Sequence, residues 1–291
     1  MSRVAVIGTG LIGTVLTGHL AEAGHDVHVW NRSRERTAGA VERGGTVEDS
    51  PRAAARGAEL VIIVVADDTA VHEVLTGDDG VVAGLATGAV VADMSTTTPA
   101  SKVASSALVE ASGAGFLDAP FFGSMKEALE RGLWPVIGGN ADVLASARPF
   151  LETFSDQIFH AGPVGAAATV KLAGNLLVGT MVQHLSESIS LIEGAGGDPA
   201  VLLELLGITG FRSPIYQAKG RQMVDDDFEP RGNINTAVKD LTLIISVLES
   251  MGLRTGGLEG VRDSYKAAQS AGLGERDFAS VISIQRPNAT N

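Results

Sequence analysis

The sequence predicts an α/β protein in which a doubly wound parallel sheet gives way to an all-helical second half. Three observations lead there. From Arg3 to His160, short β-branched runs alternate with Ala- and Leu-rich stretches, as βαβ units do. From Val164 onward the period is helical, with Leu172, Leu176, Met181, Leu185, Ile189 and Ile192 recurring at spacings near three and four. Between the two lies Gly162–Asn175, an apolar stretch in which Lys171 and Asn175 stand four apart and would project from one helix face.

Taken in order, Arg3–Gly8 reads as a strand, and Gly8-Thr9-Gly10-Leu11-Ile12-Gly13 opens a helix that runs to Ala23-Gly24. A second strand, Asp26–Trp30, follows at the distance a βαβ unit requires. In a dinucleotide site the first glycine makes the tight turn, the second admits the pyrophosphate, and the third lets helix pack on strand. The phosphates then rest on the helix N-terminus. Residues 8–13 are therefore expected to bind cofactor. The second strand ends in Asn31-Arg32-Ser33, where an NAD site usually presents an acidic residue to the ribose. An asparagine, an arginine and a serine can instead hold a 2′-phosphate, so NADP(H) is expected ahead of NAD(H).

Helical patterns over Arg34–Arg43 and near Ser50–Arg56 precede a buried strand, Glu59–Ala66. At its carboxyl end, Ala66 and Asp67 are expected to approach a ribose of the cofactor. The Asp67-Asp68 pair lacks a third oxygen ligand, and metal binding is not expected there. Helix over Val71–Leu75 and strand over Ala89–Asp93 lead to the hydroxyl-rich loop Met94–Pro99. Ser95 and Thr96 are placed to meet ligand, whereas Thr98 and Ser101 serve equally well as caps of the helix over Ser101–Ala111. Strand Phe116–Pro120 turns into Phe121-Phe122-Gly123-Ser124, followed by helix Lys126–Arg131, strand Leu133–Ile137, helix Ala141–Phe154 and strand Gln157–His160.

The helix from Val164 to Gly194 would be roughly 45 Å long. So long an apolar helix suggests the backbone of a helical domain and of a homodimer interface. Pro199–Leu206, Ile215–Gln222, Ile234–Met251 and Leu258–Ala271 supply the other helices. Lys239 and Asp240 form a second polar pair able to reach a cleft, Lys239 toward the cofactor. The expected domains are residues 1–163, binding dinucleotide, and 164–291, for substrate and dimerisation.

Composition narrows the function classes. A net charge of −12 with no basic run argues against a nucleic-acid or anionic-membrane surface. The absence of cysteine excludes thiolate chemistry, and six scattered histidines without HxH or HxxxH spacing predict no metal site. Asp225-Asp226-Asp227 reads as a solvated loop. The apolar start Val4–Ile7 runs straight into glycines and no stretch reaches about 20 apolar residues, so a cytoplasmic protein is expected. The polar tail Gln285–Asn291 is expected to fray.

On four stretches the chain resembles the β-hydroxyacid dehydrogenase family, which includes 3-hydroxyisobutyrate dehydrogenase and the glyoxylate/succinic semialdehyde reductases. They are Gly8–Gly13, Asp93–Pro99, Asp118–Ser124 and Gly162–Asn175. The resemblance implies an N-terminal Rossmann domain, a helical C-terminal domain joined through a long helix, and dimers. It places the family's catalytic lysine on Lys171, its partner asparagine on Asn175, and its cofactor and substrate loop on Ser95 and Thr96. A functional aspartate of the reductase branch falls on Asp240, and Ser213–Gly220 also resembles that branch. The family's Asp-Ala-Pro-Val-Ser-Gly motif, which holds the substrate carboxylate, reads Asp118-Ala119-Pro120-Phe121-Phe122-Gly123 here. A phenyl ring at Phe122 replaces a hydroxyl, so the substrate segment Phe121–Ser124 suits a small carboxylate less well, even with Ser124 nearby. Trp134-Pro135 is also unusual for the family.

These readings predict an NADPH-dependent reductase of an aldehyde or keto compound, with Lys171 stabilising negative charge on oxygen and supplying the proton. An imine reductase or reductive aminase is the first alternative. Lys171 argues against it, because that branch generally has aspartate or tyrosine there, while the apolar Phe121-Phe122 argues for it. A catalytically silent NADP-binding protein is the second, and retention of the lysine disfavours it.

Overall fold

In the computed structural model, residues 1–286 are described; of the tail expected to fray, 287–291 lie outside them. Through Lys171 the chain forms one compact unit and from Leu172 a second, with the boundary inside a single long helix. The first unit starts with β1 (Arg3–Ile7), α1 (Leu11–Glu22), β2 (Asp26–Trp30), α2 (Ala38–Glu42), β3 (Thr46–Val47) and α3 (Pro51–Ala55). It continues through β4 (Leu60–Ile63), α4 (Asp68–Leu75), β5 (Val90–Asp93), α5 (Pro99–Glu110) and β6 (Gly115–Asp118). After β7 (Phe121–Phe122), α6 (Met125–Leu129), β8 (Trp134–Gly139), α7 (Ala141–Leu151) and β9 (Phe159–Gly162), α8 (Ala166–Gly194) begins.

The sheet runs β3-β2-β1-β4-β5-β6 with every pair parallel, the doubly wound order of a Rossmann fold. β8 returns antiparallel beside β6, and β7 and β9 pair with β8. Side-chain alternation divides the core between the two faces of the sheet. Val4, Val6, Leu60 and Ile62 join one cluster, while Ala5, Ile7, Val61 and Ile63 join the other, all with no exposure. Strands buried on both faces favour apolar residues, which is why Val4–Ile7 and β4 read as unbroken apolar runs, with buried carboxylates only at the carboxyl ends of β5 and β6, Asp93 and Asp118.

Two segments differ from expectation. The strand predicted through Ala66 ends at Ile63, because after Val64 donates to the Ile7 carbonyl the chain peels away and the Val65 amide donates instead to the Ser95 hydroxyl. Phe121 and Phe122, expected as a turn, form a short strand with Phe121 opposite Pro135 and Phe122 opposite Trp134. The helix starts follow their caps. Asp67 caps α4 through the Ala70 amide and Thr98 caps α5 through the Ser101 amide, with Pro99 at the first helical position.

The second unit is helical, with α9 (Pro199–Ile208), α10 (Pro214–Val224), α11 (Ile234–Ser250) and α12 (Leu258–Ala268) beside the remainder of α8. Val182, Leu185, Ile189, Met223, Leu241 and Tyr265 lie in its core, where the Tyr265 hydroxyl donates to the Gly179 carbonyl at 3.0 Å. α12 stops short of the expected Ala271, ahead of a left-handed Gly272. Among the described residues no helix is long and apolar enough to cross a membrane.

Candidate functional site

Because β1, β4, β5 and β6 are parallel, their carboxyl ends lie along one edge of the sheet, and the segments that leave them line that edge. These are Gly8–Gly13, Val64–Asp67, Met94–Thr98 and Ala119–Phe122. At the first, Gly8 adopts φ +100°, and a Cβ there would lie 2.1 Å from the Val64 carbonyl oxygen. A Cβ on Gly13 would lie 2.0 Å from the Gly8 oxygen. The protein itself thus forbids side chains at both positions. Gly10 differs: no protein atom comes within 4 Å of where its Cβ would be. Backbone left bare at the start of α1, with no side chain capping that helix, has the form that a phosphate group would fit.

A cavity of about 310 Å³ opens beside this turn, lined by Gly8, Gly10, Asn31, Arg32, Arg36 and Ala66 among others. The turn is fastened to the end of β2 from within. The Thr9 amide donates to Asn31 Oδ1 and its hydroxyl to the Arg36 carbonyl, and Asn31 Nδ2 donates to the Ser33 carbonyl. The Asn31 side chain is therefore engaged with backbone, leaving the guanidinium groups of Arg32 and Arg36 as the cationic lining. Arg32 is 82% exposed and sits 3.7 Å from Glu73, which also lines the cavity. A dinucleotide fits this donor set: bare amides for pyrophosphate, and two arginines and a serine where a 2′-phosphate would lie.

At the carboxyl end of β5, Ser95 is buried, with its hydroxyl accepting from the Val65 amide and its own amide donating to Asp93 Oδ1, both at 3.0 Å. Thr96 is half-buried. The Thr98 amide and hydroxyl both donate to Asp68, tying this loop to α4. Ala66 and Asp67 are exposed, Asp67 as the α4 cap.

Lys171, half-buried near the start of α8, holds its ammonium 4.5 Å from the Phe122 ring centroid and 5.8 Å from that of Phe121. Gly123 turns the chain with φ +113°, and Ser124 caps α6, where it and Glu127 form a reciprocal capping box. Glu127 accepts from the Ser124 hydroxyl and amide, which hold its carboxyl below the usual range.

In the second unit, Asn175 Nδ2 donates to Asp240 Oδ2 at 2.7 Å, and Lys239 Nζ lies 3.0 Å from Asp240 Oδ1. Asp240 is buried; a carboxylate can only accept, so it fixes which way the Asn175 amide faces. Asp225 and Asp226 ring a turn after α10, and among the described residues no group of three or more His, Asp or Glu is arranged to hold a metal ion.

Sequence reasoning missed Arg36, Lys102 and the structural use of Asp118. Arg36 carried a signal, since it is a second arginine four residues beyond Arg32, in the short helical turn Arg34–Thr37. Lys102 carried none: it reads as a solvated helix lysine, yet it is wholly buried while its neighbour Val103 is 55% exposed.

Residues 3–162 match the family model of the NAD binding domain of 6-phosphogluconate dehydrogenase, and residues 165–285 that of the NAD-binding domain of NADP-dependent 3-hydroxyisobutyrate dehydrogenase. Glyoxylate/succinic semialdehyde reductase 2 of Arabidopsis thaliana is 31% identical over 96% of this chain and 78% of its own length. The 3-hydroxyisobutyrate dehydrogenase of Pseudomonas aeruginosa is 36% identical over 71% of this chain and 69% of its own. Among solved structures, 3-hydroxyisobutyrate dehydrogenase from Mycobacterium tuberculosis with L-serine superposes with a TM-score of 0.91 at 25% identity, over 99% of this chain and 100% of that one.

Proposed function

This chain belongs to the β-hydroxyacid dehydrogenase family and is an NAD(P)-dependent oxidoreductase, and from that premise we propose that it reduces a carbonyl compound with NADPH, Lys171 donating the proton. The observation that carries the proposal is the Lys171 ammonium standing over Phe122 and Phe121, where the chain leaves the carboxyl end of β6. When bound, NADPH supplies the hydride. Lys171 Nζ would give its proton to the carbonyl oxygen, so that the reduced product is the alcohol. Before transfer, the ammonium stabilises the charge that develops on oxygen. Asn175, held by Asp240, orients that oxygen, and Gly8–Gly13, Arg32, Ser33, Ala66, Asp67, Thr96 and Lys239 hold the cofactor.

The substrate class follows from the same pair of rings. Two phenyl faces offer dispersion and apolar burial in place of a hydroxyl donor, which favours an aldehyde or keto compound of more apolar character than a small hydroxy acid. The rings also suit a second reading, reduction of a C=N bond, since an imine needs no carboxylate grip. Lys171→Ala separates the carbonyl reading from a silent binder. Turnover of aldehydes and ketones should fall about 10²- to 10⁴-fold while NADPH binding is kept. Unchanged turnover rejects the assignment of Lys171, and reduction of cyclic imines alone selects the second reading.

The protein is further proposed to act as a homodimer through its helical unit. α9 has no buried residue, and it and the following turn expose Val201, Leu205, Ile208 and Phe211. A helix this apolar requires a covering surface. Ile208→Glu with Phe211→Glu should yield a monomer in sedimentation; an unaltered mass sinks the proposal.

A further inference from the structure

The start of α8 is tied to Asp118, whose Oδ2 accepts from the Gly165 amide at 3.0 Å and the Ala168 amide at 2.8 Å. Lys171 follows Ala168 by one turn. The other Asp118 oxygen faces Lys102 Nζ at 3.8 Å, and the same ammonium lies 2.7 Å from Asp93 Oδ2. It also donates to the Asp93 and Ser95 carbonyls at 2.8 and 2.9 Å. All three side chains have no exposure. One buried cation is therefore the common neighbour of the Met94–Thr98 loop and of the carboxylate that caps the helix of Lys171.

Stability alone is a poor reason for this arrangement. Two buried carboxylates facing one ammonium carry a large desolvation cost, and apolar residues of similar volume generally hold a core as well. α5 instead buries its lysine and exposes the adjacent Val103.

We propose that Lys102 is a positioning residue for the reduction: by holding the Ser95 carbonyl and the Asp118 carboxylate together, it fixes the substrate loop against the first turn of α8 and sets the place of Lys171. This rests on the reading of Lys171 as the proton donor. Burial raises the Asp118 pKa, and Lys102 is the main influence opposing that rise. Loss of Lys102 would thus favour a protonated, weaker cap.

The test compares the full chain with Lys102→Met, Asp118→Asn and the double variant, reading NADPH Kd, kcat, KM and amide hydrogen exchange over residues 163–171. Lys102→Met should lower kcat at least tenfold and speed exchange at Gly165 and Ala168 at least tenfold, with NADPH Kd changed less than about threefold. In Asp118→Asn the amide oxygen still faces α8, but its NH₂ group meets the Lys102 ammonium. The double variant removes that clash and should exceed Asp118→Asn in kcat, a coupling that remains measurable if Lys102→Met does not fold. Wild-type kcat in Lys102→Met, a kcat loss with unchanged exchange, or a double variant no better than Asp118→Asn overturns the proposal. Lys171→Ala with intact turnover instead removes the proton-donor reading, while the exchange comparison still decides whether Lys102 holds α8.

Discussion

Lys171 Nζ and the Phe122 ring stand 4.5 Å apart, so the ammonium proposed to donate a proton rests on an aromatic face. Such a contact contributes about 0.5–1 kcal/mol when exposed and about 2 when desolvated. Phe122 stands where the family pattern has serine, and its cross-strand neighbour is Trp134, the other unusual position. The two unusual positions thus face each other across one short strand pair, β7 on β8.

Phe122→Ser should therefore move specificity rather than abolish activity. The hydroxyl supplies a donor for a carboxylate, and the lost ring removes apolar surface. We expect kcat/KM for a small semialdehyde acid to rise about tenfold, equivalent to about 1.4 kcal/mol, and that for an apolar ketone to fall comparably. Steady-state assays on both substrates check this; an unchanged ratio would show that the ring does not face substrate.

Arg32→Ala should weaken NADPH by about ten- to a hundredfold and leave NADH within about twofold, since charge-assisted bonds contribute about 1.5–3 kcal/mol. Glu73→Gln should tighten NADPH a few-fold, because the carboxylate 3.7 Å from Arg32 competes for the same guanidinium. Fluorescence titration with both cofactors decides, and equal weakening of NADH in Arg32→Ala refutes a 2′-phosphate role.

Much of the nucleotide half was legible because its constraints are local. Gly8 and Gly13 report a backbone that the Val64 and Gly8 carbonyls will not let carry a side chain, whereas Gly10 between them faces open space. The unbroken apolar runs of Val4–Ile7 and β4 report a sheet buried on both faces. What stayed hidden depends on contacts between residues distant in sequence. Nothing in the α5 sequence says that Lys102 turns inward, because the two carboxylates it meets lie outside α5, nine residues back at Asp93 and sixteen on at Asp118. Asn31 was legible as a polar residue closing β2; its engagement with Thr9 and Ser33 appears only once the strand ends are side by side.

Asp240 acts on Asn175 by orientation, which a substitution series can isolate. Asp240→Asn presents an amide that can turn either its oxygen or its NH₂ group toward Asn175, whereas Asp240→Ala leaves Asn175 Nδ2 without this acceptor. We expect Asp240→Ala to reduce kcat about tenfold, with Asp240→Asn intermediate and Asn175→Ala at least as impaired as Asp240→Ala. A fully active Asp240→Ala would mean that Asn175 needs no fixing.

The α6 capping box makes the segment after Phe122 sensitive to acid. Ser124 holds the Glu127 carboxyl below its usual range, so the folded pKa lies under the unfolded value of about 4.3. A depressed carboxylate stabilises fully above the unfolded value and loses that contribution as pH falls through the folded one. A cap of this kind contributes about 1 kcal/mol, or roughly fivefold in local opening. Exchange protection over residues 124–129, corrected for intrinsic rates, should therefore fall, by up to about fivefold, as pH drops from 6 through the folded value. Glu127→Gln keeps a capping acceptor but cannot titrate, and its profile should be flat over that range. An identical acid drop in Glu127→Gln would place the titrating group elsewhere and detach the acid sensitivity of α6 from its cap.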